Sequence, residues 1–380
     1  MMQRTIRLQL LPTAEQAHIL RETLSQYAAC FNAVTAYGWA NSETNGVALH
    51  HATYYSVRTQ YPHLPSQLVC AARVNATESL KSACTLKQKG EKVSCPTVSR
   101  ATIRYDARSY RMELAKQSAS LSSVSGRQTV PFAIHPHAKK HLSKATGFDS
   151  ADVFERDGKF WIHAVVTIPA PAVVLSSEVV GVDFGICRPA VASNNRFFGE
   201  KRWKEVEQRY FRLKRKLQAK GTKSAHRHLR VLKHRLTRFR TDCDHVLSKR
   251  IVQSVVPGTT IVIENLTNIR KNTKQNGKAQ RRRMHSWPFR RLAMFLTYKA
   301  EDAGDRVEGI DPRKTSQRDS RCGYTHRSNR RSQSVFKCRK CGFELNADLN
   351  ASRNIRWKYL DGLGKSEAAG LPSNSLTSCS

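Results

Sequence analysis

The spacing of hydrophobic residues changes repeatedly along the chain, and each change marks a boundary. Residues 4–11 alternate, with Ile6 and Leu8 opposite Arg7 and Gln9, which predicts a strand. After Pro12 the period becomes helical. Thr13, with Gln16 three positions on, forms a capping box, and Ile19, Leu20, Leu24, Tyr27, Ala28 and Phe31 make one core-facing stripe. Residues 50–90 predict further helices, closing in the polar loop 87–92. From Ile103 to Ile168 the texture is short strands and turns. Its clearest part is 151–168, a hairpin turning at Asp157-Gly158, a type I′ dipeptide. The N-terminal strand belongs with this β module, so the helices of 14–95 are inserted in it, and 169–175 is a linker.

The second half reads differently. Val179 to Val182 is a short β-branched run that suits a strand buried on both faces, and it ends in Asp183 before a Gly185 turn. Residues 259–265 repeat the design, a β-branched strand running into Glu264. Asp348 opens a helical segment, 348–355. Between the first two acids, Val206, Tyr210 and Leu213, then Leu229, Leu232 and Leu236, predict a helical hairpin broken at Gly221. Lys271 to Arg283 reads as a basic loop, and 287–298 as a helix packing through Phe289, Leu292, Leu296 and Tyr298. Residues 361–380 are Gly/Ser-rich and poor in apolar side chains, hence a disordered tail.

Charge narrows the function. The chain holds 65 Lys+Arg against 29 Asp+Glu, net +36. An excess this large repels itself unless a polyanion is bound, and nucleic acid is the obvious one. A membrane is disfavoured as partner: the most apolar stretch, 161–175, is short and interrupted by His163, Thr167, Pro169 and Pro171. The first residues lack the apolar core of a signal peptide. Few acids are interleaved in the hairpin, so Arg212, Arg215, Lys216, Arg230 and Arg235 are expected to contact phosphates rather than form a merely solvated face. Seven cysteines are scattered, at 30, 70, 84, 95, 187, 243 and 379, and three are grouped, at 322, 338 and 341. This suits a reducing compartment and a metal site.

Three acids at element ends, distant in sequence, are what a two-metal phosphodiester site needs. Two cations about 3.5–4 Å apart activate the attacking water and stabilise the leaving oxygen, and carboxylates bridge and flank them. Singly, each acid is ambiguous: an Asp after a strand is also a turn former or helix cap, and strand-Asp-x-Gly occurs in ATP-binding folds of the actin and sugar-kinase type. Cys338-x-x-Cys341 is a zinc knuckle, and Cys322-Gly323 supplies the other half of a ribbon.

In order, Gly181-Val-Asp-Phe-Gly185, Val262-Ile-Glu-Asn-Leu266, Tyr298-Lys-Ala-Glu-Asp-Ala-Gly304, Thr315-Ser-Gln-Arg-Asp-Ser-Arg-Cys-Gly323, Phe336-Lys-Cys-Arg-Lys-Cys-Gly342 and Asp348-Leu-Asn-Ala-Ser-Arg-Asn-Ile355 resemble the TnpB family. These are transposon-encoded RNA-guided DNA nucleases, related to compact type V CRISPR effectors. Residues 6–16 resemble the family's first strand and helix. The resemblance implies an α/β multidomain chain. A β-barrel-like wedge module (1–13 and 100–172) would carry a helical recognition insertion (14–99). An RNase H-like (RuvC) nuclease domain (173–314 and 344–360) would hold a zinc-ribbon insert (315–343), with the tail at 361–380. It further implies Asp183, Glu264 and Asp348 as the catalytic, metal-binding triad for two Mg²⁺ ions, and one structural Zn²⁺. The partners would be a guide RNA and double-stranded target DNA cut beside a short adjacent motif, in the prokaryotic cytoplasm at the nucleoid.

Two readings stand beside this one: a compact type V effector, and a guide-directed DNA-binding regulator without cleavage. A cut-and-paste transposase is disfavoured by the ribbon directly ahead of the third acid. The chain departs from the family at Asp319, where the first ribbon cysteine is expected. With Cys322, Cys338 and Cys341, the fourth zinc ligand is Asp319 or His326; otherwise the ribbon is degenerate and metal-free.

Overall fold

The computed structural model describes residues 1–172, 176–185, 188–266 and 289–368. They divide into two compact units, Met1–Ala170 and the chain from Pro171 onward.

The first unit contains strands β1 (Met2–Leu10), β2 (Ile103–Tyr105), β3 (Tyr110–Glu113), β4 (Ser118–Ser123), β5 (Gly126–Ala133), β6 (Gly147–Arg156) and β7 (Lys159–Ile168). They form one antiparallel seven-stranded sheet, ordered β2-β6-β7-β1-β5-β4-β3. Alternation decides which face is covered: Ile6, Leu8 and Leu10 of β1 and Phe160, Ile162, Ala164, Val166 and Ile168 of β7 are all buried. The sheet curls enough that Tyr105, in edge strand β2, donates its hydroxyl to the Ser122 carbonyl in β4, 2.9 Å away. Asp157 and Gly158 both take positive φ, 53° and 72°, the type I′ geometry that the dipeptide predicts. Helices α1 (Ala14–Ala40), α2 (Gly46–Gln60) and α3 (Ser66–Gln88) leave the sheet between β1 and β2, and α4 (Pro136–Leu142) follows β5. The Thr13–Gln16 capping box opens α1, and Leu20, Leu24 and Tyr27 join the sheet's core.

The second unit is built on a five-stranded sheet. Its strands are β8 (Val179–Asp183), β9 (Ala190–Ala192), β10 (Phe197–Phe198), β11 (Thr260–Glu264) and β12 (Arg306–Ile310), ordered β10-β9-β8-β11-β12. The strands β8, β11 and β12 are parallel, while β9 and β10 run antiparallel. Helices α5 (Lys201–Lys220), α6 (Lys223–Val252), α7 (Phe289–Ala303) and α8 (Ala347–Ala368) accompany it. Val180 and Val182 pack with Leu247 and Ile251 of α6 and Leu292 and Leu296 of α7. On the opposite side, Val179 and Val262 pack with Ile355 of α8. Cover on both sides is why these strands read as unbroken apolar runs.

Three expectations need correction. Residues 361–368 are not tail but the last turns of α8, since the helix continues past Asp361. Leu213 does not face its partner helix but is 44% exposed, one position off the seam formed by Tyr210, Phe211, Leu229, Leu232 and Leu236. In α7 the buried residues are Leu292, Phe295, Leu296 and Ala300, and Phe289 and Tyr298 are only half-buried. The 271–283 loop, Trp287, Cys187, linker residues 173–175 and positions 369–380 lie outside the described residues.

Candidate active site and metal centre

Asp183 and Glu264 end neighbouring parallel strands. The register pairs Val182 with Ile263, so the next residue of each strand is the acid, side by side at the C-terminal edge of the sheet. Asp348 comes from the first turn of α8, where Asn346 Oδ1 accepts the backbone N–H groups of Asp348 (3.1 Å) and Leu349 (3.2 Å). What brings helix and strand together is Gly181. A Cβ there would lie 2.2 Å from the Ser352 carbonyl oxygen and 2.6 Å from the Arg356 nitrogen, so only glycine lets α8 rest on β8.

The three carboxylates act on one another. Burial, then the charges of Glu264 and Asp348, raise the Asp183 carboxyl well above the ordinary aspartate range, against the pull of Arg330. Burial also raises Glu264 and Asp348, opposed at Glu264 by the Thr315 hydroxyl, Lys358 and Arg330, and at Asp348 by Arg330 and Arg188. Arg330 makes the direct ion pair, Nη2 to Asp348 Oδ1 at 3.2 Å. Crowded, desolvated acids with partial cationic relief favour binding of further positive charge.

Among the described residues, one group is compact enough to surround a single ion: Asp319, Cys322, Cys338 and Cys341, whose ligand atoms all lie within 4.8 Å of one another. Cys322 Sγ and Cys338 Sγ are 3.7 Å apart, and Asp319 Oδ2 is 3.2 Å from Cys322 Sγ and 3.1 Å from Cys341 Sγ. Tetrahedral zinc with bonds of about 2.0–2.3 Å separates two sulfurs by roughly 3.8 Å and an oxygen from a sulfur by roughly 3.5 Å. The sulfur pair matches, the carboxylate sits a few tenths of an ångström closer, and the donor set is one that could hold zinc. Two matching turns build it. Gly342 N–H donates to the Cys338 carbonyl (3.1 Å) and Gly323 N–H to the Asp319 carbonyl (3.0 Å), each glycine having positive φ. Asp319 thus occupies the position that a cysteine would take in the first knuckle. Burial pushes its carboxyl up, but the thiol of Cys338, the Arg321 N–H and the other two thiols outweigh that and hold it at about 2, ready to bind as the anion. His326, the alternative ligand, is not in the group; its Nδ1 accepts from Ser328 N–H, 3.2 Å away. A hairpin of β13 (Val335–Lys337) and β14 (Glu344–Asn346) carries the second knuckle, over a small core of Phe336, Cys338 and Ala347.

Sequence reasoning did not assign the residues that join the two centres. Asn350 and Asn354, one turn apart on α8, are buried and face the 315–320 loop. Asn354 Nδ2 donates to the carbonyls of Thr315 (2.9 Å) and Arg318 (2.6 Å), and Asn350 Nδ2 to Arg318 (2.8 Å). Arg318 returns a bond to Asn354 Oδ1 and lays its guanidinium 3.5 Å from the Trp357 ring centroid. The i, i+4 spacing of two asparagines in 348–355 was the available signal.

The hairpin residues Arg212, Arg215, Lys216, Arg230 and Arg235 lie far from this edge in sequence, on α5 and α6, all exposed, and none pairs with a described carboxylate. No residue of α5 is buried, and α6 enters the core only through its C-terminal half and Ala225. Among the described residues no helix is long and apolar enough to cross a membrane.

Parts of the chain are similar to known proteins. A family model described as "Probable transposase" matches residues 163–276, and one described as "Cas12f1-like, TNB domain" matches residues 289–355. CRISPR-associated endodeoxyribonuclease Cas12f1 of Sulfoacidibacillus thermotolerans is 41% identical over 132 residues, 34% of this chain and 30% of that protein. The Cas12f1 of Syntrophomonas palmitatica is 25% identical over an aligned 406 residues, 87% of this chain and 80% of that one. The TnpB-like protein MJ0751 of Methanocaldococcus jannaschii is 33% identical over 118 residues, 31% of this chain and 42% of that protein. The first and third matches thus take in less than half of those proteins' length. A solved Cas12f1–sgRNA–target DNA complex shares the fold, with a TM-score of 0.60 at 15% identity, over 90% of this chain and 83% of that one. The resemblance to TnpB and the compact type V effectors, read from the motifs, is borne out, and the fold is α/β.

Proposed function

We propose that this chain is an RNA-guided DNA endonuclease that cuts double-stranded DNA beside a short adjacent motif. The observation that carries the reading is the meeting of Asp183, Glu264 and Asp348 at one edge of the β10-β9-β8-β11-β12 sheet. That strand order, three antiparallel strands continued by two parallel ones, suits an RNase H-like (RuvC) domain. In it, the three acids hold two Mg²⁺ ions. Bound there, the ions would activate water and stabilise the leaving oxygen. The chain's own residues do the rest: Thr315 fixes one Glu264 oxygen, Arg330 holds Asp348 in place, and α8 presents that acid at its positive end. The Asp319–Cys322–Cys338–Cys341 group holds a structural Zn²⁺.

The relatives' printed names include endodeoxyribonuclease, and the fold neighbour was solved with guide RNA and target DNA. By the same reading, the curled sheet is the wedge module, α1–α3 are the recognition module, and guide pairing reads the target while the protein reads backbone shape and the motif. The α5–α6 hairpin tracks phosphates. Neutralising Arg212, Arg215, Lys216, Arg230 and Arg235 together should weaken binding of any sequence. It should also flatten the salt dependence, by about 0.9 log unit for each phosphate left without its cation. An unchanged slope would make that face merely solvated. The Cas12f1 relatives support a second setting, a CRISPR effector, with the same chemistry.

The test is cleavage of a target plasmid by RNA-loaded protein with Mg²⁺. Wild type should cut, and Asp183→Ala should lower cutting by at least about 10³-fold while keeping guide-dependent binding. Wild-type cutting by Asp183→Ala would end the assignment.

A further inference from the structure

Thr315 sits at the start of the ribbon loop, yet its side chain faces the acid centre. It is 4% exposed, and its hydroxyl lies 2.6 Å from Glu264 Oε1, across 51 positions of sequence, and 2.9 Å from the Pro312 carbonyl. A hydroxyl has one proton to give, and a carboxylate takes it in preference to a neutral carbonyl, because a charge-assisted bond is about twice as strong. Its backbone is fixed from the other side, since Asn354 Nδ2 donates to the Thr315 carbonyl at 2.9 Å. The residue before it, Lys314, is held at φ 66°, a region that non-glycine residues rarely adopt. Backbone strain kept next to a functional group needs surroundings that over-determine it, and here they are the two asparagines of α8.

We propose that Thr315 is a positioning residue for Glu264: its hydroxyl occupies Oε1 and leaves Oε2 to a divalent cation, so that the ribbon loop sets the orientation of a ligand of the acid centre. The inference rests on the reading of Asp183, Glu264 and Asp348 as a cation site. Without that bond the glutamate rotates about three side-chain torsions, and ordering it becomes part of the cost of binding the ion. Partners of metal ligands that do not touch the metal are commonly worth about 10- to 100-fold in affinity or activity.

The experiment titrates Mn²⁺ into the zinc-loaded full chain without nucleic acid and reads free Mn²⁺ by EPR, with Asp183→Ala defining the ions bound at the acid centre. Thr315→Val, nearly isosteric but without the hydroxyl, should weaken that site at least about 10-fold, with zinc content and melting temperature retained. Thr315→Ser, which keeps the hydroxyl, should bind as wild type does. If Val binds Mn²⁺ like wild type, or if Ser falls as far as Val, the hydroxyl has no positioning role. Should Val fail to fold, Thr315→Ala removes the hydroxyl without adding a methyl group, and the same outcomes decide. Two failures are separable. Unchanged Mn²⁺ binding in Asp183→Ala sinks the acid-centre reading itself, whereas weakened binding in Asp183→Ala together with wild-type binding in Thr315→Val sinks only this inference.

Discussion

The acid centre hangs from strands packed on both faces, with Val180, Val182, Ile261, Leu292 and Leu296 on one side and Val179, Val262 and Ile355 on the other. The Asp319 cluster, in contrast, has a core of only Phe336, Cys338 and Ala347, with Phe343 against it. Apolar burial at about 25 cal/mol per Å² is ample for the first and scant for the second. The sheet edge therefore keeps its carboxylates in place whether or not cations are bound. On the reading proposed above, the ribbon would depend on an ion to close it, since a module this small lacks a core that would order it alone. Contacts cross the junction both ways: Thr315 and Arg330 reach from the ribbon to Glu264 and Asp348, while Asn350 and Asn354 of α8 hold the 315–320 loop.

The largest effect should come from breaking the weaker partner. Cys338→Ser, or zinc stripping, should release one zinc and open residues 315–345 to rapid amide exchange. Cleavage should fall by at least about 10-fold, the usual effect of removing groups that support metal ligands. Val180, Val182 and Ile261 should stay protected. Zinc-free protein that cuts normally would mean that the ribbon is vestigial and the two regions are independent.

A smaller effect, and the reverse pattern, is expected from Gly181→Ala. Its methyl group would strike the Ser352 carbonyl, so α8 must shift and carry Asp348 with it. A destabilisation of about 1–3 kcal/mol in a urea melt is expected, with cleavage reduced and zinc content unchanged. A variant as stable and as active as wild type would show that α8 is not seated on β8 as described.

The mildest change sharpens the comparison instead. Asp319→Cys should bind zinc more tightly, on the order of 10-fold, since thiolate suits zinc better than carboxylate does. A competing chelator should strip the wild type first. Equal retention by both proteins would place Asp319 outside the coordination sphere.

Much of this was legible locally. β-Branched runs dictated strands, acids at their ends stood out because burying a charge is costly, and the Cys-x-x-Cys-Gly at 338–342 marks a knuckle whatever surrounds it. The Asp157-Gly158 turn and the Thr13–Gln16 cap likewise depend on neighbours a few residues away. Spacing alone did not exclude Leu213 from its helical seam, because a helical stripe is several residues wide and only the partner helix selects among them.

What the sequence by itself determined, then, was chemistry and local shape: two acid-tipped strands, an acid at a helix start, three thiols at knuckle spacing and a basic hairpin. Tertiary structure alone decided the partners. Parallel register between β8 and β11 set Asp183 beside Glu264; packing at Gly181 delivered Asp348; and the facing turns chose Asp319 over His326. It also gave Thr315, Asn350 and Asn354 their work, which residue type does not announce, because a hydroxyl or amide takes its role from whatever the fold places within about 3 Å of it.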